Sequence, residues 1–251
     1  MNNEQFIGSN LIELDSIDST NNYLSKLANE TFVENGSVIL AHNQTNGKGQ
    51  RGNGWESESG KNLTFSVLLQ TEFLKISQNF LLSMMVCNSV HELLSQYIDK
   101  VEIKWPNDIL VDDKKIAGIL IENSIVNQHL HQSIIGIGVN LNQRDFSTAP
   151  QAASLALLLK KELNKKEVFT KLLTIIERNY LELKQGLWFR INSYYLNHLL
   201  GYKTEQNYQI IKTKEQVTGR ITEVEHNGFV RIMTSDRRSQ LFEMKEIKRL
   251  V

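Results

Sequence analysis

Residues 42–62, HNQTNGKGQRGNGWESESGKN, bring together five glycines, the cations Lys48 and Arg51, and Trp55, with no apolar period among them. Glycine lets backbone N–H groups close on a ligand, and the two cations suit an anion. A literal G-x-G-x-x-G runs from Gly47 to Gly52. It opens no helix, because another glycine, an acidic patch and an apolar run follow, so a dinucleotide-fold reading fails. No Gly-Lys-Ser/Thr follows at the required spacing, which removes a Walker-type loop as well. What stands is either a loop that closes on a ligand or a mobile surface loop.

Two further stretches carry polar groups at strand ends. In Lys104-Trp105-Pro106-Asn107-Asp108, the proline fixes φ and removes a donor directly after an apolar run. The chain must turn there and present Asn107 and Asp108, as a plain turn or as part of a site. Seven residues after Asp108 comes Lys115 in KIAGIL, which is either an edge-strand guard or a buried cation meant for an anion. In Gly136-Ile137-Gly138-Val139-Asn140, glycines weaken a strand unless something lies against its backbone, and Asn140 offers an amide at its end.

These residues need a scaffold, and the periodicities supply one. A short helix is expected from Ser19, with Asp18 or Ser19 as N-cap. Strands are expected at 37–41, 63–69, 101–105 and 133–141. DILV and KIAGILIE flank Asp112-Asp113-Lys114 as a hairpin, giving a core sheet of at least five strands. Residues 78–97 follow the 3.6 period of a core-facing helix, and residues 152–198 read as helices. Beyond Gly201 short β segments alternate with turns such as Asn227-Gly228. A small β-barrel over 201–251 is expected to follow a larger domain over 1–200.

Composition excludes several classes. The 28 Lys+Arg cancel 28 Asp+Glu in 251 residues, so whole-chain charge proposes neither nucleic acid nor an acidic membrane as partner. Residues 1–159 hold 10 Lys+Arg against 17 Asp+Glu, and residues 160–251 hold 18 against 11. The two parts face different tasks or face each other. No apolar run approaches the roughly 18 to 20 residues that span a bilayer, and the N-terminus lacks a signal pattern, so a cytoplasmic protein is expected. The single cysteine, Cys87, sits in LLSMMVCNSV and reads as inert core packing.

Taken together in order, these motifs resemble the biotin protein ligases, enzymes that attach biotin to the carrier domain of biotin-dependent carboxylases. The resemblance begins at Asp18-Ser19-Thr20-Asn21 and runs through Gln44, Gly47–Trp55, Lys104–Asp108, Lys115–Gly118 and Gly136–Asn140 to the C-terminal β segments. It implies an α+β fold: a mixed β-sheet backed by helices, like the catalytic core of class II aminoacyl-tRNA synthetases, followed by an SH3-like barrel. With 18 residues before Ser19, a ligase-only type without a DNA-binding helix-turn-helix is expected, and no specific binding to DNA.

The same resemblance assigns roles. Ser19, Thr20, Asn21 and Gln44, with Gly47, Lys48 and Gly49 of the loop and Gly118, are expected to contact biotin. Lys115 would lie between the biotin carboxylate and the ATP α-phosphate, sharing catalysis with Arg51. Gly52, Trp55 and Lys104, together with Asn107, Asp108 and Asn140, would serve the nucleotide, with Asp108 toward Mg²⁺. The implied reaction forms biotinyl-5′-AMP and then biotinylates one lysine of a carrier, that of acetyl-CoA carboxylase or a related carboxylase, behind a loop that closes as a lid. ATP and Mg²⁺ are implied, and no tightly bound organic cofactor. Nothing selects an oligomeric state, so a homodimer stays open. Many family members read Gly-Arg-Gly-Arg through the loop, where this chain has Gln50 followed by Arg51, so Arg51 is expected to take the phosphate contact. The alternatives are a lipoate-protein ligase of the same fold and a non-enzymatic nucleotide- or RNA-binding module.

Overall fold

A computed structural model describes residues 5–250, except for the side chain of Arg51. In chain order the first part contains β1 (Leu11–Ile17), α1 (Thr20–Glu30), β2 (Val38–Gln44), β3 (Leu63–Gln70) and α2 (Asn79–Leu94). Then come β4 (Val101–Lys104), β5 (Asp108–Val111), β6 (Lys114–Val126) and β7 (His129–Val139). Three helices follow, α3 (Leu155–Leu159), α4 (Lys165–Lys184) and α5 (Trp188–Asn197). Strands β8 (Gln206–Ile210), β9 (Gln216–Val224), β10 (Val230–Thr234), β11 (Ser239–Phe242) and β12 (Ile247–Arg249) complete it.

The first seven strands form one sheet in the order β1-β2-β3-β7-β6-β5-β4. β1 pairs parallel with β2 and the remaining pairs are antiparallel, so the sheet is mixed, as expected. β3 is buried along nearly its whole length, because α2 and α4 cover one face and α1 the other. Phe65 of β3 meets Phe169 of α4 edge-on at 5.1 Å, and Phe80 of α2 meets Tyr195 of α5 at 5.9 Å. On the opposite face Leu24 of α1 packs with Ile39, Leu68 and Ile134.

Three features differ from the sequence expectations. β1 is an additional strand, and its alternating LIELDSI leaves exposed Glu13 and Asp15 to guard a sheet edge. The hairpin of β6 and β7 reaches beyond the apolar runs to a two-residue turn at Asn127-Gln128, both with positive φ (48° and 65°). The glycine stretch is shorter and more ordered than a structureless loop, since β2 extends to Gln44 and a 3₁₀ turn spans Gln50–Gly52.

The C-terminal β segments form a five-stranded antiparallel sheet, β11-β10-β9-β8-β12, whose inner residues join the main core. Its docking uses named contacts. Phe80 N–H donates to His226 O (2.9 Å), Trp105 Nε1 to Gly228 O (3.2 Å), and Arg249 pairs with Asp113 (2.6 Å). The basic part therefore faces the acidic one at the β5–β6 turn.

Candidate active site

A cleft of about 230 Å³ opens where β2, β3, β6 and β7 meet the start of α1, the turn before β5 and the glycine loop. Of the expected residues it gathers Ser19, Thr20, Asn21 and Gln44 along one wall, with Lys48, Gly49 and Trp55 from the loop. Lys104, Asn107, Asp108, Lys115 and Gly118 complete the lining from the β4–β5–β6 region.

Glycines in β6 and β7 make room for what lies against them. Gly118 and Gly138 are cross-strand partners, and the Trp55 indole rests on both. A methyl group on Gly138 would overlap the indole ring, and one on Gly118 would come within 3.0 Å of Trp55 and of Lys115 Cε. Two residues along β7, a methyl on Gly136 would overlap Asn21 Oδ1. Each glycine thus marks a close approach, which is the condition under which glycine inside a strand is retained.

Along the α1 wall the polar groups are tied to one another. Ser19 starts the helix in extended geometry without using its side chain as a cap. Thr20 N–H donates to Gln44 Oε1 (2.9 Å), and the Thr20 hydroxyl lies 3.1 Å from the same oxygen. Ser66 Oγ sits 2.7 Å from Thr20 Oγ1 and 2.6 Å from Asn21 Oδ1, and Asn21 Nδ2 donates to Glu122 Oε2 (2.7 Å). Thr20, Asn21 and Ser66 are all buried.

At the β5–β6 side, charge is concentrated. Lys115 Nζ lies 2.6 Å from Asp108 Oδ1, and Lys104 Nζ lies 3.6 Å from Asp108 Oδ2. The Lys115 ammonium also stands 5.5 Å from the centre of the Trp55 ring. The Lys115 backbone is fixed on both sides, donating to Gln151 O (2.8 Å) and accepting from Ala153 N–H (3.1 Å). Asn107 is part of the scaffold as well, its Nδ2 donating to Ile119 O (2.6 Å). One carboxylate against two ammonium groups leaves a net positive floor, which suits an anion.

A second recess, about 280 Å³, shares Gly54, Trp55 and Lys115 with the cleft, and its further lining includes Glu56, Asn140, Gln143 and Phe146. The expected Asn140 belongs here and not in the cleft, with its Nδ2 donating to Lys115 O (3.3 Å). Gly47 lines neither recess. Its carbonyl accepts from Trp55 N–H (2.8 Å), so it closes the base of the loop. Gly52 takes a positive φ of 86° in an exposed turn and also lines neither. The Arg51 side chain lies outside the described residues. Gln50 reaches toward the C-terminal sheet, Nε2 3.4 Å from Met244 Sδ.

Sequence reasoning missed Ser66, Glu122 and Phe146. Ser66 had a signal, as the one serine within LTFSVLL, and Phe146 stands out in NQRDFSTAP. Glu122 had none. Cys87 takes no part: it is fully buried, and burial pushes its thiol well above the usual range. Among the described residues no group of three or more His, Cys, Asp or Glu side chains is placed to hold a metal. Asp108 alone offers a carboxylate to a cation in the cleft, and both its oxygens face ammonium groups. A cation there needs ligands from a phosphate-bearing partner. Among the described residues no helix is long and apolar enough to cross a membrane.

Comparison with known proteins meets the same residues. The model of the Biotin/lipoate A/B protein ligase family matches residues 13–140, which include both walls of the cleft. The chain is 29% identical over 205 residues to the bifunctional ligase/repressor BirA of Bacillus spizizenii, covering 80% of this chain and 62% of that protein. It is 28% identical over 187 residues to the biotin--[acetyl-CoA-carboxylase] ligase of Mycobacterium tuberculosis, covering 71% of this chain and 68% of that protein. Its fold is similar to the biotin protein ligase from Aquifex aeolicus in complex with biotin and ATP. That similarity has a TM-score of 0.78 and 28% identity, and covers 96% of this chain and 100% of that one. Motif order, matched span and fold agree, and this chain belongs to the biotin/lipoate A/B protein ligase family.

Proposed function

We propose that this chain is a biotin protein ligase: it joins biotin to AMP and transfers the biotinyl group to a lysine of a biotin carboxyl carrier domain. One observation carries the reading, namely that Lys115 lines two adjoining recesses of different chemistry, with its ammonium held against Asp108 and beside Trp55. The cleft, with amide and hydroxyl groups along α1 and strand surface beside them, suits biotin's neutral ureido ring and apolar tail. The recess with Phe146, Asn140 and Gln143 suits a purine.

In the first step a biotin carboxylate oxygen attacks the α-phosphorus of ATP, the bond to the bridging oxygen breaks, and pyrophosphate leaves. Two anions must meet. Lys115, held in place by Asp108 and by its backbone bonds, screens their repulsion and stabilises charge on the equatorial oxygens. We assign Arg51 to the phosphates, Trp55 and Gly52 to closure over the nucleotide, and Ser19, Thr20, Asn21, Gln44 and Lys48 to biotin. Gly47 and Gly49 shape the loop around it. Where magnesium accompanies the triphosphate, Asp108 would be the carboxylate to hold it, with Lys104 and Asn107 beside it, and it would neutralise charge on the phosphate oxygens. In the second step the carrier's uncharged lysine amine attacks the acyl carbon, AMP leaves, and the amine loses its proton. Until then the mixed anhydride must be kept from water. We place this machinery in residues 1–200, with 201–251 as a smaller second domain, and the protein in the cytoplasm with its substrates.

A lipoyl substrate offers an apolar dithiolane where biotin offers N–H and C=O groups, so the polar α1 wall favours biotin. Incubation with radiolabelled biotin, ATP and a carboxylase carrier domain is expected to label the carrier lysine. Labelling by lipoate in place of biotin, or by neither, would overturn the reading.

A further inference from the structure

Two hydroxyls stand in line between two amide oxygens along the α1 wall. Gln44 Oε1 must face Thr20, because the Thr20 backbone N–H, 2.9 Å away, only donates. At the other end Asn21 lies between Ser66 and Glu122. A carboxylate only accepts, so the Nδ2 group must face Glu122, at 2.7 Å, and Oδ1 is turned onto Ser66 Oγ, at 2.6 Å. Three oxygen–oxygen contacts result: Gln44–Thr20 at 3.1 Å, Thr20–Ser66 at 2.7 Å and Ser66–Asn21 at 2.6 Å. The Thr20 and Ser66 hydroxyls bring one proton each. The line is one donor short, so a ligand N–H reaching Thr20, Asn21 or Gln44, which line the cleft, supplies the proton it lacks.

We propose that Glu122 is a positioning residue that fixes the α1 wall as a hydrogen-bond acceptor and thereby selects a substrate ring carrying N–H groups. The proposal rests on biotin being the substrate. Glu122 is exposed and does not line the cleft, so it acts through Asn21. Without its carboxylate the Asn21 amide is free to turn over at no change in shape, since Gly136 presents no side chain to it. Nδ2 then donates to Ser66, Ser66 to Thr20, and Thr20 to Gln44. Every contact then holds one proton, and the line no longer lacks a donor that a ligand N–H could supply.

The test compares Glu122→Ala, Glu122→Gln and Glu122→Lys with the parent by calorimetric biotin binding, adenylate formation at saturating biotin and ATP, and thermal unfolding. Glu122→Ala is expected to weaken biotin binding about 3- to 10-fold, the scale of one hydrogen bond between neutral groups. Its turnover at saturating biotin should stay within about threefold of the parent, with Tm unchanged. Glu122→Gln should recover most of the binding, because its Oε1 accepts from Asn21, and Glu122→Lys should bind worst. If the parent binds biotin and Glu122→Ala binds it within about twofold, or Glu122→Gln is as weak as Glu122→Ala, the assignment falls and the function stands. If the parent does not bind biotin, the proposed function falls and this assignment with it.

Discussion

Along the α1 wall, Thr20 and Asn21 are held by partners from other elements: Thr20 by Gln44 of β2, Asn21 by Ser66 of β3 and Glu122 of β6. The glycine loop that faces it is held mainly by itself. Gly49 N–H donates to Asn53 O (2.7 Å) and Trp55 N–H to Gly47 O (2.8 Å), while Gly52, Asn53 and Gly54 are exposed. Outside contacts come through Trp55 on the glycine pair and Gln50 at Met244. The wall spends its ordering entropy during folding, so recognition there is preorganised. The loop has few anchors of this kind, so we expect its ordering to be completed when a ligand binds.

Lys115 stands where wall and loop meet, and its loss should have the largest effect. Lys115→Ala is expected to slow adenylate formation about 100- to 1000-fold while weakening biotin binding far less, measured by single-turnover assays and equilibrium binding. Equal rates for parent and variant would remove the charge from the mechanism.

Two substitutions on one strand separate the regions. Gly138→Ala places a methyl group in the Trp55 indole and should release the loop, whereas Gly136→Ala places one in Asn21 and should disturb only the wall. Each steric insertion costs about 1 to 3 kcal/mol, or roughly 5- to 150-fold in the affected equilibrium. Limited proteolysis of residues 43–60 with saturating biotin and ATP should show lost protection in Gly138→Ala and retained protection in Gly136→Ala, which instead binds biotin weakly. Identical behaviour of the two variants would break the distinction between wall and loop.

The smallest effect should lie away from both regions. His91 of α2 is buried, with Nδ1 3.0 Å from the Tyr194 hydroxyl and Nε2 3.0 Å from Val101 O. Burial first, then the neighbouring His198, holds its pKa down to about 4, from 6.5. The unfolded chain therefore takes up this proton before the folded one, and stability is lost as pH falls from 6.5 toward 4. Urea unfolding should show a loss of about 2 kcal/mol between pH 7 and pH 5 from this group, with a flatter dependence in His91→Gln.

The sequence made the scaffold legible where patterns were local. The apolar runs of β3 and β7, the period of α2 and the acidic turn before β6 all match the structure. β1 escaped because its alternation mixes Glu13, Asp15 and Ser16 into a short edge. In the candidate site, Lys115, Gly136 and Gly138 were visible as residue types out of place in their strands, while Asp108 read as an ordinary turn residue and Gly118 entered only through the family resemblance. Glu122 was not, because an acidic residue at the solvent end of a strand looks ordinary until Asn21, 101 positions away, is seen to lean on it. Asn140, expected to serve the nucleotide, lines the second recess, a placement that linear order could not tell because it does not say which side of Lys115 a strand end reaches.

The glycine pair beneath Trp55 has a spectroscopic consequence. Trp55 lines both recesses, and its ring nitrogen is buried with no hydrogen-bond partner among the described residues. Indole emission shifts in colour and yield with local polarity and with hydrogen bonding at that nitrogen. Trp105 is tied through its own nitrogen to Gly228, and Trp188 lies against His226. One chromophore of the three thus borders both recesses, and the protein carries its own optical reporter of their occupancy.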